Sequence, residues 1–141
     1  MSYEPAWEEL DHPADVRLRI TGRSLKELLR NAARGMIETM VDPATVRCQE
    51  SMEVEVGGDS PESLLINWLQ EIHFRFDADR FVPARVEIDS LEELNVRGQL
   101  NGEFMDRERH GFRTEIKAVT WHDLEIVETA DGYEVKVLFD V

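Results

Sequence analysis

The chain has 141 residues, 42% of them hydrophobic and 33% charged, with one cysteine and a formal net charge of −14. That length suits a single domain over residues 1–141, and the apolar share excludes global disorder. A lone Cys48 excludes an intrachain disulfide. No apolar run nears the ~20 residues of a membrane span. Thirty Asp and Glu against sixteen Lys and Arg argue against direct contact with a phosphate backbone.

The acidic opening MSYEPAWEEL has neither a basic leader nor an apolar run, so no secretory signal is expected. With Cys48 read as a plain strand residue, the expected setting is the reducing cytoplasm. Residues 16–21, V-R-L-R-I-T, alternate apolar and polar and predict a half-buried strand that Gly22 breaks. Ser24 and Glu27 then form a capping box ahead of a helix from Leu25 to Val41. Its apolar stripe includes Leu28, Leu29, Ala32, Ala33, Met36, Ile37 and Met40, and Pro43 ends it. A strand runs from about Val46 to Val56, and Gly57-Gly58-Asp59 turns the chain. Ser60 caps a second helix with Pro61 at its first position. Leu64, Leu65, Trp68, Leu69 and Ile72 are its apolar face, and it ends near Phe76.

The remainder predicts strands at 84–89 and 94–100, with Asn101-Gly102 as a tight turn. Further strands are expected at 112–120 and 122–128. An Asp131-Gly132 hairpin leads into a last strand at 133–139. Alternation within 112–120 sets Thr114, Ile116, Ala118 and Thr120 on one face, with Glu115 and Lys117 on the other. The fold class is α+β: two helices packed on a mainly antiparallel β-sheet in one domain.

Two places carry candidate chemistry. Asp11-His12-Pro13-Ala14-Asp15 sets two carboxylates and an imidazole just before a strand, which suits a hard cation. Turn formation is the alternative. At the other end, the strand pattern runs to Phe139-Asp140-Val141. If Val141 is held, its carboxylate is held beside that of Asp140, and the two repel unless a cation or base intervenes. A solvated strand end is the alternative. His110 and His122 bracket the 112–120 strand, too far apart to share a metal locally at about 3.3 Å per residue. His73 receives no role. No phosphate loop, His-Glu-x-x-His, Cys-x-x-Cys or nucleophile elbow is present, so no enzyme is marked.

Several segments together resemble the archease family. Leu10-Asp11-His12-Pro13-Ala14-Asp15-Val16 resembles its N-terminal motif, with Pro13 where threonine is common. Leu64-Leu65-Ile66-Asn67-Trp68-Leu69 resembles its Leu-Leu-x-x-Trp-Leu helix. His110-Gly111 with Glu115-Ile116-Lys117-Ala118-Val119-Thr120-Trp121-His122 resembles its Glu-Val-Lys-Ala-Val-Thr-Tyr-His signature, and Phe139-Asp140-Val141 its ending. The resemblance implies a non-catalytic partner of an RtcB-type RNA ligase, promoting ligase guanylylation and multiple turnover in tRNA splicing or RNA repair. It implies a divalent cation, calcium with magnesium or manganese as alternatives, held by Asp15, Asp140 and the carboxylate of Val141. Lys117 falls at a position associated with activating the ligase. Asp11, His12, His110, Glu115 and His122 are expected around that site in support. RNA is met only through the ligase, no membrane is involved, and a monomer is expected. A chaperone-like modulator of other RNA-processing enzymes, such as an RNA methyltransferase, is the competing reading. A metal-dependent hydrolase is a third, and it lacks a nucleophile.

Overall fold

In a computed structural model of the chain, residues 6–10 and 15–141 are described. The elements are β1 (Trp7–Leu10), β2 (Asp15–Gly22), α1 (Leu25–Met40), a 3₁₀ turn (Pro43–Thr45), β3 (Glu50–Gly57), α2 (Pro61–Asp77), β4 (Phe81–Glu92), β5 (Asn95–Phe104), β6 (Ala118–Thr120), β7 (Val127–Thr129) and β8 (Gly132–Asp140). The α+β expectation holds: two helices and eight strands, all of whose pairings are antiparallel. The strands divide into two sheets. One runs β1-β2-β8-β6 with β7 also on β8; the other runs β3-β5-β4.

Local chemistry sets the helices. The Glu27 backbone N–H donates to Ser24 Oγ at 3.1 Å, and the Glu27 carboxylate accepts from the N–H of Arg23 at 3.2 Å. The box is thus closed one residue earlier than the usual reciprocal pair. Helix α2 has the full box, with Ser63 in the place of Glu or Gln, and Pro61 in the first turn. Their apolar faces bury Leu28, Leu29, Met36, Ile37, Leu64, Leu65 and Trp68 completely or nearly so. Trp68 Nε1 donates to the Leu29 carbonyl at 3.0 Å, so the largest core side chain also joins the two helices. Helix α1 lies against β2 and β4, and α2 against β3 and β6, so one continuous hydrophobic cluster spans both sheets.

Four expectations fail. Asn101-Gly102 is no turn but lies inside β5, paired across to Ser51 and Glu50. Gly102 is needed because a Cβ there would collide with the Val82 carbonyl oxygen of β4. The real hairpin turn is Glu93-Leu94, at φ 48° and 61°, between paired Glu92 and Asn95. Positive φ at both positions matches the right-handed twist of a two-residue hairpin, yet neither residue type advertises it. The strand expected over 112–120 shrinks to Ala118–Thr120. Residues Arg113 and Thr114 instead donate their backbone N–H groups to the carbonyls of Met40 and Thr39 at 2.8 and 3.0 Å. They satisfy the open carbonyls at the end of α1, and the supposed one-face set is broken: Ile116 is buried, Ala118 exposed. The strand expected over 122–128 survives only as Val127–Thr129. Cys48 is exposed and precedes β3, so it is not a strand residue. Strand β1 has no counterpart in the sequence reading. The Asp131 hairpin holds, with Thr129 paired to Gly132. Among the described residues, no helix is long and apolar enough to cross a membrane.

Candidate functional site

Strand β8 lies between β2 and β6, and its last residue meets both. Asp140 is directly opposite Asp15 on one side and Ala118 on the other. The preceding rank, Val16, Phe139 and Val119, is buried in the core. Alternation therefore puts Asp15, Asp140 and Ala118 on the outer face. Asp15 is half-buried and Asp140 exposed. Directly opposed residues hold their Cβ atoms about 4.5–5.5 Å apart, where like charges repel. Val141 follows, half-buried against the core.

Lys117 is tied to the same corner through its main chain. The Lys117 N–H donates to the Asp140 carbonyl at 2.7 Å. The carbonyl of the same peptide unit, that of Ile116, lies 2.6 Å from His73 Nε2. His73 therefore donates to it, and helix α2 clamps one side of the peptide whose other side β8 clamps. Sequence reading missed His73. Its position in α2 gave no signal, because its partner is a main-chain oxygen 43 residues away.

The other expected residues scatter. Asp11 and His12 lie outside the described residues. Glu115 is exposed on the segment between β5 and β6. His122 is exposed, with Nε2 3.2 Å from Asp123 Oδ2 in a turn where Asp123 has φ 51°. His110 belongs to a different cluster. Its side chain is wholly buried, its Nδ1 accepts from the Asp106 N–H at 3.0 Å, and its Nε2 is 3.1 Å from Glu103 Oε1. Because Nδ1 accepts, Nε2 carries a proton, and that buried N–H stands near the carboxylate without completing a hydrogen bond among the described residues. Glu103 also pairs with Arg109 and accepts from the Arg47 N–H at 2.6 Å. The Arg109 guanidinium, with the Arg47 and His110 donors, holds the Glu103 carboxyl at about 2, well below the ordinary 4.5. The parity of β5 would turn Glu103 outward, so alternation conceals it; Gly102 and Glu103 are both buried.

The donors that meet at the β2–β8 corner are all oxygen, which suits a hard cation rather than zinc. Among the described residues no group of three or more His, Cys, Asp or Glu side chains is placed to hold a metal. Asp15 and Asp140 would supply at most two side-chain ligands of the shell of six to eight oxygens that calcium calls for. Main-chain oxygens and water would complete it.

The model of the archease protein family matches residues 7–141. A protein archease of Methanosarcina barkeri is 34% identical over 139 residues, covering 96% of this chain and 95% of that one. The solution structure of a Methanobacterium thermoautotrophicum protein superposes with a TM-score of 0.82 at 31% identity, covering 98% of this chain and all of the other. A Thermotoga maritima archease, described as a possible chaperone, shares the fold at a TM-score of 0.62 and 24% identity, over 95% and 96% of the two chains.

Proposed function

The chain belongs to the archease family, and from that premise we propose that it is a non-catalytic, divalent-cation-binding activator of an RtcB-type RNA ligase. The reading rests above all on one observation: the register sets Asp15 opposite Asp140 while the Lys117 N–H bonds the Asp140 carbonyl. Two motifs from opposite ends of the sequence and a third around Lys117 therefore share one corner of the sheet. Asp15, Asp140 and the terminal carboxylate of Val141 would hold the ion. A cation held there would neutralise the carboxylates and supply a Lewis-acidic contact for a phosphate or carboxylate oxygen. Lys117 adds a positive charge at the same corner, on a backbone clamped by β8 and His73. A net charge of −14 favours approach to a basic, RNA-handling partner over contact with RNA itself. The chain would thereby promote guanylylation of the ligase and its repeated turnover, in tRNA splicing or RNA repair.

The test is multiple-turnover RNA ligation by the cognate ligase with and without this protein. Stimulation by the wild-type chain, lost in Asp15→Ala and Asp140→Ala, is expected, as is impairment when residues are added after Val141. Full stimulation by both variants would sink the metal-site reading. Phe74, Phe104 and Trp121 are each more than half exposed, and large exposed apolar side chains favour binding to protein surfaces. They support the second reading, a chaperone-like modulator of RNA-processing enzymes. It predicts suppressed aggregation of a partner and no effect on ligation.

A further inference from the structure

Between the 105–116 segment and the C-terminal ends of both helices lies a cavity of about 460 Å³, the size of cleft that accepts a small molecule. Its apolar part is built from Met40, Met105 and an edge-to-face pair, Phe76 and Phe112, with ring centroids 6.1 Å apart. Around it stand Arg80, Arg107 and Arg113. In a chain with a net charge of −14, three guanidiniums at one opening are a local concentration of positive charge. Arg113 is partly engaged, its Nη1 donating to the Glu38 carbonyl at 2.9 Å and its Nη2 standing 3.8 Å from Asp42 Oδ1. Arg80 and Arg107 make no side-chain hydrogen bond or ion pair among the described residues. Arg80 also holds φ at 59°, a left-handed conformation that glycine would adopt without strain. Two carboxylates, Asp77 and Glu115, share the lining.

We propose that this cavity binds a mononucleotide whose base carries an exocyclic amino group. Guanidiniums are the side chains suited to a phosphate, which they can grip through two parallel N–H donors. Half-exposed phenyl rings offer a platform to the face of a base. Asp77 and Glu115 accept from amino N–H donors. Each part of the lining excludes a simpler ligand. A bare phosphate leaves the aromatic surface unused. A neutral aromatic leaves Arg80 and Arg107 without a partner, and a base without an amino group turns carbonyl oxygens towards the carboxylates. The site shares no proposed ligand with the Asp15–Asp140 corner, and its fate is independent of the ligase reading.

The experiment is a calorimetric and NMR titration of the full chain with AMP, with adenosine, ribose 5-phosphate and UMP as the comparison arms. AMP is expected to saturate and to bind about tenfold or more tighter than each of the other three. Arg107→Gln, at an exposed side chain, weakens AMP by about tenfold without moving the melting temperature. Arg80→Gly does the same while relieving the backbone. Failure of AMP to saturate in the millimolar range would overturn the proposal. So would equal binding of ribose 5-phosphate, which marks a phosphate patch only, or equal binding of adenosine or UMP. AMP binding unchanged in both variants would also overturn it.

Discussion

Two corners of this molecule use the same chemistry to opposite ends. At the β2–β8 corner, Asp15 and Asp140 face each other on the outer side of the sheet, and the Lys117 N–H bonds the Asp140 carbonyl. At the end of β5, the Glu103 carboxylate is buried and surrounded by donors from Arg109, Arg47 and His110. The first set places like charges opposite each other, Asp140 exposed and Asp15 half-buried. The second matches one charge with its opposite and closes it off. A buried carboxylate held by the Arg109 guanidinium and the Arg47 N–H is already compensated and needs no ligand. Two opposed carboxylates on an outer face repel each other, and a cation between them would relieve that repulsion. The histidine of the family-like motif, His110, belongs to the finished corner, which separates a structural role from a binding one within a single run of sequence.

Removing one negative charge from each corner is the sharpest way to break that contrast. Asp140→Asn is expected to reduce ligase stimulation on the order of 100-fold while leaving the melting temperature unchanged or slightly raised, since an opposed like charge is gone. Glu103→Gln is expected to do the reverse. It removes the charge paired with Arg109 and sets an amide NH2 against one of the donors that the carboxylate accepted from, so the melting temperature falls, while stimulation measured well below it persists. If Glu103→Gln abolished stimulation in a fully folded protein, the division between the corners would fail. Smaller in effect is the acid response. The Glu103 carboxyl titrates near 2 when folded against an ordinary 4.5, so its contribution to stability is whole above about 4.5. It is lost as pH falls through about 2. Chemical denaturation between those limits should show wild-type stability falling more steeply than that of Glu103→Gln. Parallel curves would contradict the pairing.

The helices were legible because their signals are local. Ser24 and Ser60 caps, Pro61, and apolar residues three and four apart all act within one or two turns. The strand end was legible in part, since alternation in 16–21 and 133–139 correctly placed the core rank that ends at Phe139. What pairs Asp15 with Asp140 is register over 125 residues of separation, and no local pattern carries it; the family-like motifs did. The 112–117 segment was illegible for a related reason. Its residues alternate well enough for a strand, but Arg113 and Thr114 find their partners in the open carbonyls of α1 rather than in a sheet. Glu93-Leu94 turned without glycine or asparagine because the long β4–β5 pairing on either side imposes it, bulges and all.

The smallest effect tests how the first corner is held. The peptide joining Ile116 to Lys117 gives its carbonyl to His73 at 2.6 Å and its N–H to Asp140 at 2.7 Å. His73→Leu removes one of the two restraints and leaves a half-buried carbonyl without its donor, at a cost of about 1 kcal/mol. With only β8 holding it, the peptide plane gains freedom to rotate and Lys117 moves with it. A displacement of this kind is expected to reduce stimulation about tenfold, less than loss of the Lys117 side chain itself. His73→Gln keeps an N–H donor in reach and should restore part of that loss. A purely structural histidine would lower stability and nothing else. The distinguishing measurement is therefore a double-mutant cycle in the ligation assay. If His73 acts by positioning Lys117, then His73→Leu costs nothing further once Lys117→Ala is in place. If the two losses instead add, His73 supports the fold alone, and the clamp on the 116–117 peptide plays no part in activity.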